Sequence, residues 1–224
     1  MFEIKDLYFS YNKSAPYLLN NLNLKVNKGD YISILGENGS GKSTLMKLLL
    51  KLLSPSKGEI NRTAMKIGYV PQKFESFNSQ FPITVYELLK INSNYLKIKD
   101  KDLILNLLDL IKMKDFKNSL VGTLSGGQFQ KVLIAKALMG NPDVLILDEP
   151  SNGIDVNSQA EIYSLIKKLN KENKITVLSV EHNIKAAITN STSIFYIDNG
   201  IGSKYTPSEY LSIYDEGRDL FVAL

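Results

Sequence analysis

The segment Gly36-Glu37-Asn38-Gly39-Ser40-Gly41-Lys42-Ser43 narrows the possible folds more than any other, because it fits the phosphate-binding pattern G-x-x-x-x-G-K-[ST] at every fixed position. Such a loop works only between a buried strand and a helix. Both flanks are legible: Tyr31-Ile32-Ser33-Ile34-Leu35 is mostly apolar, as a parallel strand covered on both faces must be, and Lys42–Leu53 has helical periodicity. Glycines let the backbone bend until successive N–H groups point inward, and the following helix adds its positive end. Gly36 to Thr44 is therefore the expected cradle for the phosphates of a nucleoside triphosphate. Lys42 is expected to bridge the β- and γ-phosphates, and the Ser43 hydroxyl to ligate Mg²⁺.

Two further runs, Val144-Leu145-Ile146-Leu147 and Thr176-Val177-Leu178-Ser179-Val180, also read as buried parallel strands. Helical patterns lie around them at Asp102–Lys112, Gln128–Gly140, Ser158–Asn170 and Asn183–Thr189. Strand alternating with helix means an α/β fold: a P-loop NTPase core with a mainly parallel sheet. Alternation in Phe2-Glu3-Ile4 and Leu22-Asn23-Leu24-Lys25-Val26 adds an N-terminal antiparallel β subdomain, with turn-formers between them from Ser10 to Pro16. From about Phe74 to Leu120 there are helix signals and no convincing buried strand, so an α-helical subdomain is expected as an insertion. The whole chain, 1–224, is expected to be one domain: residues 1–73 and 136–224 form the core with the β subdomain, and about 74–135 the helical part.

Composition removes several other chemistries. There is no cysteine and one histidine, which excludes disulfides, a thiolate metal site and an imidazole cage. Arg62 and Arg218 are the only arginines, so no arginine cluster reads guanine or phosphate, and no nucleic-acid partner is expected. Apolar runs stay far below the ~18 residues of a membrane span. Met1-Phe2-Glu3-Ile4-Lys5-Asp6 has no apolar run behind a basic start, so no signal peptide is expected and the location is cytosolic.

Asp148 closes the Val144–Leu147 strand and Glu149 follows it. At the end of a parallel strand Asp148 can hold Mg²⁺ through water, and Glu149 can meet a water in line with the γ-phosphate as general base. Leu124-Ser125-Gly126-Gly127-Gln128 then precedes another helix, a second N-terminus with exposed amides and a serine hydroxyl.

With this set complete, the sequence resembles the nucleotide-binding subunits of ABC transporters from about Phe2 to Gly200, Leu-Ser-Gly-Gly-Gln being their signature. The resemblance implies a homodimer in head-to-tail arrangement, in which Ser125, Gly126, Gly127 and Gln128 of one subunit close on the ATP of its twin. It implies that Tyr11 stacks on adenine, that Gln72 links Mg²⁺ to the membrane partner, and that Asp155 contacts the opposite site. It implies that His182 touches the γ-phosphate, joining Glu149 and Lys42 in catalysis. Three places depart from the family pattern: Lys131 where arginine is frequent, Asn152 where a small residue is common, and Glu181 and Asn183 around His182 where His-Asp is usual.

The expected function is ATP hydrolysis that energises an integral membrane permease from the cytoplasmic face of the membrane. The alternatives are the ATPase of another transporter with a different cargo and an ABC-type ATPase acting on DNA, ribosomes or cofactor assembly without a permease, and the second fits less well. Only 82 residues separate Lys42 from Ser125, too few for long coiled coils, and the chain has one cassette. A non-hydrolysing regulatory module is disfavoured by Glu149. Phe81-Pro82-Ile83-Thr84-Val85-Tyr86-Glu87 and Gly153-Ile154-Asp155-Val156 resemble the zinc and manganese uptake branch, which implies an extracytoplasmic substrate-binding protein as a further partner. High lysine and asparagine usage suggests a bacterial source. Gln72–Tyr86, with Phe74, Phe77, Phe81 and Ile83, is the expected permease-docking segment.

Overall fold

Alternation in the first 26 residues extends further than the sequence suggests. The computed structural model describes residues 1–63, 65–72, 82–100 and 102–222, with side chains up to Tyr214. In chain order its elements begin with β1 (Phe2–Phe9), β2 (Leu19–Val26), β3 (Tyr31–Gly36), α1 (Lys42–Leu49), β4 (Lys57–Arg62), β5 (Ile67–Val70), α2 (Val85–Tyr95) and α3 (Leu103–Leu110). They continue with α4 (Gly126–Leu138), β6 (Val144–Asp148), α5 (Val156–Lys171), β7 (Thr176–Val180), α6 (Ile184–Asn190), β8 (Ser193–Asp198), β9 (Ile201–Tyr205) and α7 (Pro207–Val222). Packing divides the chain into two units, Met1–Met65 with Thr176–Leu224, and Lys66–Ile175.

The first unit holds an antiparallel sheet in the order β2-β1-β4 and the strands β7-β3-β8-β9. In β1 the inward residues are Phe2, Ile4, Leu7 and Phe9, a spacing that skips one residue. The register shifts between Ile4 and Leu7, and Asp6 has φ 47, so a bulge absorbs the extra residue and returns Leu7 to the core. β3 is buried from Tyr31 to Leu35 because β7 and β8 flank it in parallel, pairing Ile34 with Val180 and with Phe195. β9 returns antiparallel to β8. Helix α1 stops at Leu49, four residues before the expected Leu53, and Lys51 then adopts φ 60.

The second unit pairs β5 parallel to β6, from Ile67↔Val144 to Val70↔Leu147. Val144 to Asp148 is buried throughout. Thr84 starts α2 with a reciprocal cap: its hydroxyl accepts the Glu87 N–H while the Glu87 carboxylate accepts the Thr84 N–H. Asn92 of α2 donates to the Lys136 carbonyl of α4 at 3.3 Å, tying the helices together.

In the first unit α7 places Tyr210, 6% exposed, against Leu35, Ala187 and Ile194. Its ring lies 5.6 Å from Tyr196, 6.2 Å from Tyr205 and 6.3 Å from Tyr214. Burial, and then the neighbouring phenols, push the Tyr210 hydroxyl up from 10.0 to about 12. A raised acid pKa in the fold leaves stability intact below pH 10 and removes it as pH climbs toward 12, since only the unfolded chain ionises freely. Urea titrations at pH 9 and 11.5 should therefore show a larger alkaline loss for the natural chain than for Tyr210→Phe, whose difference between the two pH values reports the remaining groups.

Candidate nucleotide site

The loop after β3 is shaped by glycine where a side chain has no room. Gly36 has φ +150, and a Cβ there would lie 2.7 Å from Ser40 Oγ and collide with the Ile197 carbonyl oxygen. Gly41 has φ +99, with Leu19 Cδ2 only 2.6 Å from a Cβ position. Lys42, 6% exposed, turns its ammonium back into the loop and donates to the carbonyls of Gly36 and Glu37, both at 2.8 Å. Gly41 at the N-cap of α1 provides no side-chain cap, so no cap side chain competes with an anion at this helix end. The Ser40 hydroxyl is buried without a hydrogen-bond partner among the described residues. Glu37, Asn38 and Gly39 form the exposed rim.

Tyr11 is 69% exposed, its ring edge-on to Phe9 at 5.1 Å, and its hydroxyl lies 3.2 Å from the buried Thr44 Oγ1. His182 follows β7 on the exposed surface. Its unusual neighbours each have work of their own. Glu181 is buried, accepts the Ser179 hydroxyl at 2.5 Å and donates its N–H to the Ile34 carbonyl at 3.0 Å. Asn183 caps α6 by accepting the Ala186 N–H at 3.0 Å.

In the second unit β6 ends on Asp148, 6% exposed, near Tyr69, whose hydroxyl is pushed up first by burial and then by the Asp148 charge. Glu149 turns out of the strand with φ 52. Gln72 Nε2 donates to Glu149 Oε2 at 2.5 Å, so the expected Mg²⁺ residue and the expected base are in contact. Asn152 Nδ2 donates to the same oxygen at 2.7 Å. Asp155 caps α5, accepting the Ser158 N–H at 3.0 Å; that bond holds its carboxyl below the usual range.

Ser125 caps α4. Its hydroxyl accepts the Gln128 N–H at 3.2 Å and the Gln128 side chain accepts the Ser125 N–H at 2.9 Å. The two glycines that follow differ. Around Gly126 the nearest atoms to a Cβ are Ile154 Cγ1 at 3.8 Å and the Gly153 carbonyl oxygen at 3.9 Å. Gly127 is buried, and a Cβ there would run into Ser158 of α5, with Oγ at 2.6 Å. Gly127 thus has a packing reason within its own chain, where its sequence position suggested only an approach to phosphate. Lys131 makes an ion pair from α4 to Glu161 of α5, and that hydrogen bond keeps the Glu161 carboxyl low.

Of the expected docking segment, Phe74, Phe77 and Phe81 lie outside the described residues. Ile83 is 7% exposed, its carbonyl accepting the Val121 N–H at 2.9 Å. By sequence Asn152 is only a departure at a position where a small residue is common. A donor three positions after the expected base was the available signal.

A parallel sheet, a glycine loop that folds a lysine back on its own carbonyls, and an uncapped helix behind it define a P-loop nucleotide-binding protein. The ABC transporter domain matches residues 19–152. The chain belongs to the ABC transporter family. It is 47% identical to the "Probable metal transport system ATP-binding protein" of Treponema pallidum over 209 residues, 93% of this chain and 87% of that one. It is 40% identical to the zinc import ATP-binding protein ZnuC of Rickettsia bellii over 191 residues, 85% of this chain and 80% of that one. Among solved structures, a dimeric ATP-binding cassette in a post-hydrolysis state with ADP and Pi superposes with a TM-score of 0.75 at 28% identity, covering 92% of this chain and 99% of that one.

Proposed function

We propose that this chain is the ATP-hydrolysing subunit of a metal-ion importer, taking up a divalent cation such as zinc or manganese. The observation that carries the hydrolytic part is the Lys42 cradle, whose buried ammonium is turned back into the glycine loop onto the carbonyls of Gly36 and Glu37, a cation placed where the phosphates would lie. The metal cargo follows the relatives named above.

ATP lies with its phosphates on Gly36 to Thr44 and its adenine on Tyr11. Lys42 neutralises the β- and γ-phosphates. Ser43, Asp148 and Gln72 offer only oxygen ligands, the donor chemistry Mg²⁺ selects. When bound, that ion offsets negative charge on the β- and γ-phosphate oxygens. Glu149 takes a proton from the water that attacks the γ-phosphorus, while the bond to the β–γ bridging oxygen breaks and ADP and phosphate form. His182 supports the γ-phosphate.

Two chains close head to tail, the likeness to a dimeric cassette being the support. Ser125, Gly126, Gly127 and Gln128 of one chain, with Asp155, complete the partner's site. Gly126→Asp should keep ATP binding and thermal stability and lose ATP-driven dimerisation, because Gly126 is exposed and a Cβ there meets Ile154 and the Gly153 carbonyl only at ordinary van der Waals distance. Gly127→Ala should instead cost ~1–3 kcal/mol of stability, as overpacking does. Light scattering and thermal melts of the two variants separate these outcomes, and dimerisation by Gly126→Asp would contradict the composite site.

The chain acts with an integral membrane permease at the cytoplasmic face of a bacterial membrane, and an extracytoplasmic binding protein delivers the cation. Among the described residues no helix is long and apolar enough to cross a membrane. A groove on α2 lined by Pro82, Ile83, Tyr86, Glu87, Lys90 and Ile91 supports docking there. Affinity purification of the tagged chain from solubilised membranes should retain a permease. Recovery with ribosomes or nucleic acid in its place would overturn the reading.

A further inference from the structure

Glu149 leaves β6 in a left-handed backbone conformation, φ 52, which positions its side chain at a cost in backbone strain for a non-glycine residue. Two amides from distant parts of the unit converge on one of its oxygens: Gln72 at 2.5 Å and Asn152 at 2.7 Å. The Asn152 N–H also donates to the Glu149 carbonyl at 3.2 Å. Side chain and backbone of Asn152 therefore grip the same residue, one end at the carboxylate and the other at the peptide. Gln72, in contrast, is assigned to Mg²⁺, so its bond to Glu149 is open to competition from a second task.

We propose that Asn152 is a positioning residue for hydrolysis: its amide fixes the orientation of the Glu149 carboxylate toward the attacking water, independently of Gln72. The inference rests on Glu149 being the base. An exposed carboxylate held by one donor can still swing about that bond, whereas a second donor from a different backbone segment fixes it. A displacement of about 1 Å in a reacting group can cost up to ~10²-fold in rate. The role belongs to kcat, because Asn152 donates to Glu149 and takes no part in the proposed phosphate cradle.

Asn152→Asp is the discriminating substitution. It keeps the size and the turn-forming preference of the residue, removes the donor and places a carboxylate against Glu149. In the full chain, kcat should fall about tenfold or more, with KM for ATP within twofold of the natural value and an unchanged melting temperature. Asn152→Ala should also slow turnover with KM unchanged. If Asn152 only shapes the turn, Asn152→Asp hydrolyses ATP at the natural rate, which overturns the proposal. A raised KM at unchanged kcat overturns it as well. Glu149→Gln is assayed in parallel: an inactive Glu149→Gln beside a fully active Asn152→Asp refutes the positioning role alone, while an active Glu149→Gln removes the base and the proposal with it.

Discussion

Glu149→Gln should lower ATP turnover by ~10²–10⁴ while leaving ATP affinity within a few-fold of the natural chain, the range a positioned base provides. The structure makes this substitution unusually clean. The two donors on Glu149 Oε2, Gln72 and Asn152, need only an acceptor oxygen, and a glutamine carbonyl supplies one. Local geometry is thereby retained, and what disappears is the capacity to take a proton from water. Single-turnover hydrolysis and fluorescent-nucleotide titration measure the two quantities separately. Turnover within about threefold of the natural chain would remove Glu149 from the mechanism.

Lys42→Ala should produce the second large effect, a loss of nucleotide binding. The ammonium donates to the carbonyls of Gly36 and Glu37, two bonds that hold the loop's shape. Without it the phosphates lose their one side-chain cation from this segment, and the loop loses two hydrogen bonds that shape it. ATP affinity should fall at least tenfold; charge-assisted bonds of this kind are worth about twice a neutral one. Lys42→Arg tests shape against charge, since the wider guanidinium does not reproduce a point charge in the same turn. Titration giving natural affinity for Lys42→Ala would contradict the cradle.

Strands buried on both faces were the legible part of this fold. β3, β6 and β7 present short, mostly apolar runs, and the glycine loop marks where one of them ends. β4 and β9 were invisible for the opposite reason: Lys57–Arg62 and Ile201–Tyr205 are largely exposed edge strands whose pairing depends on β1 and β8, and edge positions accept almost any polar residue. β8 was missed although Ile194, Phe195 and Ile197 are buried: its run of Ile194 to Ile197 is as long as that of β6, but no glycine loop or carboxylate pair follows it to mark a strand end.

The candidate site divides along the same line. Residue types at fixed spacing identify the cradle, the Asp148-Glu149 pair and the capped helix at Ser125, since each function is local. Gln72 and Glu149 are 77 positions apart, and no pattern in the chain announces that their side chains meet. Gly126 and Gly127 are equivalent as letters, and only the approach of Ser158 separates a packing glycine from one with room for a Cβ.

The proposed coupling is that ATP hydrolysis by this chain moves a metal ion through a permease. It is tested most directly by reconstituting the chain with its permease and binding protein in liposomes and following zinc and manganese across the bilayer. Transport should require ATP on the side where this chain sits, should stop with Glu149→Gln, and should show hydrolysis stimulated by the loaded binding protein. Cation movement that persists with Glu149→Gln, or hydrolysis indifferent to permease and cargo, would contradict it.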